Sequence, residues 1–132
     1  MRDYNNESDL KFIKSKFSDF MGDRFELNFY KSLKASLRIH IIDDKGDIYM
    51  CDFFLYSDKC EIRKLDIPEI CRGKGFITGI LEYLKCKEYN ITIGSVINAR
   101  FKTKLKHLGF IEELEGSILP EYPNMFYIKD IN

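Results

Sequence analysis

The spacing of apolar residues predicts a helix near the start of the chain, with strands after it. Between Ser8 and Phe20 the apolar residues recur at intervals of three and four, which is the spacing of one helix face, and Ser8 is suited to cap the N-terminus. Apolar and polar residues then alternate over residues 25–29 and 37–41, which predicts two short strands.

The middle of the chain continues this alternation before the pattern becomes helical. The turn-rich stretch 43–47 separates the strand at 37–41 from another run at 48–56, which is typical of a hairpin. Residues 60–67 alternate in the same way, so we predict an antiparallel meander here. Apolar residues then return with helical spacing, which predicts a helix over residues 75–87.

The last third of the chain adds strands and one more helix. We predict a strand at 90–97, a basic helix at 98–107 ended by Gly109, and strands at 110–114 and 125–128 joined by a loop with Pro120 and Pro123. The order of these elements predicts an α/β fold with a mixed sheet.

Composition supports a single folded unit. The chain has 132 residues, 45% of them hydrophobic, with 11 Phe and 8 Tyr, which is enough to bury a core. No repeat or linker-like stretch is visible, so we expect one domain over residues 1–132. Lys+Arg and Asp+Glu both total 21. This balance argues against a protein that coats nucleic acid, which needs many phosphate-neutralising cations.

The cysteine spacing and the shortness of the apolar runs indicate the cellular compartment. Cys51, Cys60, Cys71 and Cys86 form no C-x-x-C pair, so we expect reduced thiols in a core and no metal site. No apolar run approaches the ~20 residues of a membrane span, and the charged N-terminal stretch lacks the apolar core of a signal peptide. We therefore expect a cytoplasmic protein without a membrane partner.

One junction between a strand and a helix carries candidate chemistry. Arg72-Gly73-Lys74-Gly75 directly precedes the helix predicted at 75–87. Glycines here would expose the N–H groups of the first helical turn, which favour an anion such as phosphate. The alternative is an ordinary glycine-rich turn with surface cations. Neither G-x-x-x-x-G-K-S/T nor G-x-G-x-x-G is present, which argues against a nucleoside triphosphatase or a dinucleotide site.

The context of this loop resembles a known family. Residues 65–77, from Leu65 through the glycine loop to Ile77, resemble the acyl-CoA signature R/Q-x-x-G-x-G/A of the GNAT N-acyltransferase superfamily. A second stretch, from Asn98 through Leu105 to Gly109-Phe110, is similar to the helix and strand of its N-x-x-A-x-x-L-Y-x-x-x-G-F motif. The two stretches cover roughly residues 60–112. The resemblance implies a GNAT-like mixed, mostly antiparallel sheet flanked by helices, with a splayed strand pair forming the acyl-CoA cleft.

The resemblance also implies residue roles toward a bound acetyl-CoA or CoA. Main-chain amides of residues 72–77 would hold the pyrophosphate, the edge of 65–67 would pair with the pantetheine arm, and the Ile67 N–H would polarise the thioester carbonyl. Asn98 would contact the pantetheine arm. The implied binding residues are Leu65, Ile67, Arg72, Gly73, Lys74, Gly75, Phe76, Ile77 and Asn98.

The sequence departs from the family pattern at three positions. Ile77 replaces a Gly or Ala, so its bulk would press on the pyrophosphate, and Phe101 replaces an Ala. Leu105 stands where many members have a tyrosine that protonates the departing CoA thiolate. Because a thiolate leaves with less help than an alkoxide, loss of this acid slows the reaction without abolishing it.

No motif identifies the catalytic base. Glu61 and Asp66 are the carboxylates best placed to take a proton from an amine, and the alternative is that both are solvated strand residues.

Two functions therefore remain open. The first is an acetyl-CoA-dependent N-acetyltransferase in which a primary amine of a small molecule or protein attacks directly in a ternary complex. The second is a catalytically degenerate GNAT-fold protein that acts as a CoA-binding or protein-binding module. The family resemblance also favours a homodimer.

Overall fold

The structure, a computed structural model, describes residues 6–31, 36–94, 96, 98–113 and 124–129. Its helices are α1 (Asn6–Met21), α2 (Phe76–Cys86) and α3 (Ala99–His107). Its strands are β1 (Glu26–Tyr30), β2 (Ser36–Ile42), β3 (Ile48–Tyr56), β4 (Lys59–Leu65), β5 (Asn90–Ile93), β6 (Ile111–Glu112) and β7 (Met125–Tyr127). A 3₁₀ turn, Glu69–Cys71, lies between β4 and α2. Over these residues we find no helix with both the length and the apolar character that a bilayer crossing requires.

The strands form one sheet in the order β1-β2-β3-β4-β5-β7-β6. Strands β1 to β4 are antiparallel neighbours, as the predicted meander requires. Strands β4 and β5 are parallel and are connected through α2, while β7 is antiparallel to both of its neighbours. The predicted mixed, mostly antiparallel α/β sheet flanked by helices is therefore confirmed.

Two helices cover one face of this sheet. The ring of Phe17 in α1 lies 6.0 Å from that of Phe53 in β3 and 4.8 Å from that of Phe76 in α2, measured between centroids. Ile39, which points to the same face from β2, is fully buried, whereas its neighbour Arg38 points the other way and is exposed. We call these the helical face and the outer face.

Several element ends differ from those predicted. Helix α1 begins at Asn6, so Ser8 lies inside it and the predicted N-cap is wrong. Strand β5 ends at Ile93 rather than at residue 97. The predicted loop with Pro120 and Pro123 lies outside the described residues.

Strand β4 carries a β-bulge next to the point where its pairing with β5 ends. The pairs Asp52–Lys64 and Phe53–Ile62 with β3 leave Arg63 without an opposite residue. On its other side, β4 pairs with β5 only as far as Ile62, although β4 itself continues. Because a bulge bends its strand, β4 bends near the point where its pairing with β5 stops, while Lys64 and Leu65 still pair with β3.

Three of the four cysteines lie in the core as predicted. Cys51, Cys60 and Cys71 are buried free thiols. Cys86, at the end of α2, is exposed, so the core assignment is wrong for that residue.

Candidate functional site

The glycine loop lies between the end of β4 and the start of α2. Gly73 and Gly75 have φ angles of 72° and 78°, in the left-handed region that favours glycine. No atom of the described chain lies within 4 Å of the position that a Cβ would occupy at either glycine. The loop therefore exposes its main chain to open space on the side where a ligand would approach.

The main-chain amides of this loop are mostly uncommitted. The Arg72 N–H donates to the Glu69 carbonyl at 3.0 Å and so belongs to the 3₁₀ turn. The N–H groups of residues 73–77 have no acceptor within the part of the chain that the structure describes. They precede or begin the 11-residue helix α2, whose dipole adds positive potential at the same place. Five main-chain donors of this segment are thus available to an anion such as phosphate.

The Arg72 side chain turns back toward β4. Its Nε donates to the Ile67 carbonyl at 3.1 Å, and its Nη2 lies 3.5 Å from an Asp66 carboxylate oxygen. The guanidinium therefore links the loop to the end of β4. Lys74, which is exposed and has no partner among the described residues, is the cation of the loop that remains free for a ligand.

The end of β4 presents an unpaired edge beside this loop. The Asp66 N–H donates to the Met50 carbonyl of β3 at 3.1 Å. Since alternate residues of an antiparallel pair bond toward the partner, the N–H groups of Leu65 and Ile67 point away from β3. Strand β5 has already stopped pairing at that point, and no acceptor for the Ile67 N–H lies in the described residues. This edge can accept an extended chain as a further strand would.

Two predicted binding residues, Phe76 and Ile77, turn their side chains toward the core. The Phe76 ring stacks on Phe20 at 4.5 Å between centroids, so its side chain is committed to α1 and not to the loop. Ile77 is half-buried and packs against the core cluster. Part of its bulk is thus turned away from the space above the glycines.

The candidate bases lie at the outer face of β4. Glu61 accepts a hydrogen bond from the Tyr56 hydroxyl at 2.9 Å and lies 3.3 Å from Arg63 Nη2. The same bond to the Glu61 carboxylate raises the pKa of Tyr56 above its ordinary value. Asp66 is exposed and stands next to the Ile67 amide. Asp66 is thus the carboxylate nearer in sequence to the open edge.

Helix α3 gives structural roles to two residues of the second motif. The Asn98 side-chain oxygen accepts the Phe101 N–H at 3.0 Å and caps the helix N-terminus. Leu105 is fully buried, so the position that holds a tyrosine in many GNAT members lies in the core of this protein.

The outer face also holds a concave site that the sequence did not predict. A cavity of about 600 Å³ lies over β1 to β4 and continues to the β4 bulge. Its polar lining comprises Tyr30, Ser36, Arg38, His40, Asp52, Arg63 and Lys64. These residues come from four strands and are therefore dispersed in the sequence. The one visible signal is the pair of adjacent charged residues at 63 and 64, which interrupts the alternation of apolar and polar residues along the strand.

No family model matches the chain, and no curated protein matches it. Solved structures do match. Nourseothricin acetyltransferase is 12% identical with a TM-score of 0.45, over 74% of this chain and 66% of that one. Escherichia coli ElaA is 12% identical with a TM-score of 0.46, over 92% and 91%. A Bacteroides thetaiotaomicron protein titled as a GNAT-family acetyltransferase is 14% identical with a TM-score of 0.42, over 97% and 87%.

Two of these three neighbours are described as acetyltransferases, and one of them is assigned to the GNAT family, whose motifs the sequence resembles. With TM-scores below 0.5, they decide nothing about activity. The function is therefore inferred from three features of this chain itself: the glycine loop, the open edge of β4 and the outer face of the sheet.

Proposed function

We propose that the protein is an N-acyltransferase that transfers an acetyl or other acyl group from acyl-CoA to a primary amine. The observation that carries this proposal is the five uncommitted amides of residues 73–77 beside the unpaired edge of β4. A diphosphate attached to an extended amide-bearing arm is the ligand that suits both features at once.

The residues present fit acyl-CoA. Gly73 and Gly75 leave space for the pyrophosphate to approach the main chain, and Lys74 supplies a free cation. The outward-pointing groups of Leu65 and Ile67 would pair with the pantetheine amides. The oxygen of the Asn98 side-chain amide caps α3, and the nitrogen of the same amide would reach the pantetheine arm.

The chemistry requires a carbonyl activator and a proton acceptor. Acyl-CoA supplies a thioester whose carbonyl carbon would form a bond to the amine nitrogen while its carbon–sulfur bond breaks, and the departing thiolate would take up a proton from solvent water. The Ile67 N–H would donate to the carbonyl oxygen, where negative charge develops. Asp66 or Glu61 would accept the proton that the amine nitrogen loses, directly or through water.

The binding loop can be tested with glycine variants of matched backbone strain. We expect Gly75→Glu to abolish CoA binding, because it places a negative side chain among the phosphate donors. Gly46→Glu is the control, because Gly46 has a φ of 86° and equally open surroundings but lies in the β2–β3 turn. CoA at a hundredfold excess over its Kd should stabilise the wild type and Gly46→Glu by about 2.7 kcal/mol in thermal unfolding.

Equal stabilisation of Gly75→Glu by CoA would remove the proposed site. Transfer itself is measured as thiol release from acetyl-CoA in the presence of a set of primary amines, with Gly75→Glu as the blank.

A second candidate is a CoA-binding protein without turnover. The burial of Leu105 favours it, because no hydroxyl at this position can protonate the leaving thiolate. CoA-dependent stabilisation without thiol release across the amines would select this candidate over the transferase.

A further inference from the structure

The cavity on the outer face borders the proposed acyl-transfer edge. Arg63, the bulged residue, and Lys64 line its end. By strand alternation Asp66 projects to the same face as Lys64, and Asp66 adjoins the Ile67 amide. A molecule in this cavity would therefore approach the end of β4 from the face opposite α1 and α2.

The charges of the cavity are unequally compensated. Arg38 holds the Asp52 carboxylate through two bonds of 2.8 and 3.2 Å. Arg63 lies 3.3 Å from Glu61 and stacks over the Phe54 ring, 4.3 Å from its centroid. Lys64 has no ion-pair partner among the described residues. One positive charge of the lining is thus left for a ligand.

His40 supplies a second polar group in the lining of this cavity without a partner among the described residues. Its Nε2 is buried and has no hydrogen-bond partner in the described chain, although its ring is held 4.7 Å from that of Tyr30. A buried polar atom without a partner is costly, and a turn of the imidazole toward a polar group in the cavity would remove that cost. Since His40 lines the same cavity as Lys64, both features point to one occupant.

We propose that this cavity is the acceptor site and that it takes a small amine carrying a carboxylate or phosphate group. The proposal rests on the proposed acyl transfer and names its substrate class. The anionic group binds toward Lys64 and His40, and the amine is directed along β4 toward Asp66 and Ile67. The cavity volume of about 600 Å³ falls in the range of sites for small molecules.

The two histidines of the chain give a direct test by NMR of the imidazole ring carbons. His40 lines the cavity, whereas His107 is exposed at the end of α3 and serves as an internal reference. The probes are β-alanine against propylamine and phosphoethanolamine against ethanolamine, which separates a carboxylate from a phosphate. We expect at least one anion-bearing amine to shift the His40 signals saturably, leaving His107 unchanged, and the counterparts that lack the carboxylate or phosphate to have no such effect.

A charge-removing pair of variants on β4 tests the role of Lys64. We expect Lys64→Gln to weaken binding of the anionic amine about tenfold, as expected for a lost charge-assisted hydrogen bond. Lys59→Gln, on the same strand and the same face but outside the cavity, should bind as the wild type does. Equal shifts with the amines that lack an anionic group, no shift at all, or wild-type affinity in Lys64→Gln would overturn the proposal.

Failure of this proposal is distinguishable from failure of the transferase proposal. CoA-dependent thermal stabilisation with no response at His40 would refute the acceptor site alone. A specific response at His40 without any CoA binding would refute the transferase and leave an anionic-amine site.

Discussion

At the scale of single residues, Asp9 ties the N-terminal helix to the second half of the fold. Its carboxylate is buried and accepts hydrogen bonds from the hydroxyls of Tyr83 at 2.7 Å and Tyr89 at 2.5 Å. Burial and the bond to this carboxylate raise the pKa of Tyr89. Because Tyr83 lies in α2 and Tyr89 directly precedes β5, one side chain in α1 positions both elements that follow the glycine loop.

Replacing Asp9 should therefore destabilise the whole protein. We expect Asp9→Ala to lower the free energy of unfolding by about 2–4 kcal/mol, because two hydroxyls lose a charged acceptor in a buried site. Asp19→Ala is the control in the same helix, since Asp19 is exposed. Urea unfolding of both variants measures the difference. A loss of less than 1 kcal/mol in Asp9→Ala would contradict this role.

At the scale of elements, helix α3 is where a structural role and a proposed binding role meet in one residue. Asn98 caps the helix with its side-chain oxygen and is proposed to reach the pantetheine arm with its nitrogen. A substitution that keeps the oxygen and removes the nitrogen separates the two roles.

Asn98→Asp provides that substitution. We expect it to keep the stability of the wild type, because Asp is as good an N-cap as Asn, while Asn98→Ala should cost about 1 kcal/mol. If Asn98 also binds CoA, both variants should weaken CoA affinity, which isothermal titration measures. Wild-type CoA affinity in Asn98→Asp would limit Asn98 to its capping role.

Element types could be predicted from the sequence, but element ends and irregularities could not. The periodicity of α1 and the alternation of β2 and β3 are repeated over many residues, so they identify the elements. The start of α1 at Asn6 instead of Ser8 depends on one or two residues that suit either position. The bulge at Arg63 depends on how β4 pairs with β3, which is a tertiary property.

The same distinction separates the two parts of the candidate site. The glycine loop is contiguous in sequence, so Gly73 and Gly75 at a strand–helix junction could be predicted together with the donors they expose. The outer cavity combines His40 and Lys64, which lie on strands that are not neighbours in the sheet. Their proximity follows from strand order, which alternation alone does not specify.

At the scale of the whole molecule, the buried thiols couple stability to pH. Burial raises the pKa of Cys51 from 9.0 to about 12. Its Sγ donates a hydrogen bond to the Asp66 carbonyl at 3.3 Å. Burial also raises the pKa of Cys60. Both thiols are therefore neutral in the folded protein at a pH where they ionise in the unfolded chain.

The raised pKa values fix the sign of the pH dependence. Below pH 9 both states hold these protons, and the thiols contribute no slope. As the pH rises above that value, the unfolded chain releases protons that the folded protein keeps, so the free energy of unfolding falls. For each thiol the limiting slope is about 1.4 kcal/mol per pH unit.

Alanine variants assign this slope to particular residues. We expect Cys51→Ala and Cys60→Ala to be less stable than the wild type near neutral pH but to lose stability less steeply between pH 9 and 11, which urea unfolding at each pH measures. Cys86→Ala is the control, because it removes an exposed thiol and not a buried one. Parallel curves for wild type, Cys51→Ala and Cys60→Ala would mean that water reaches both thiols, and that the sheet and its helices do not close over them.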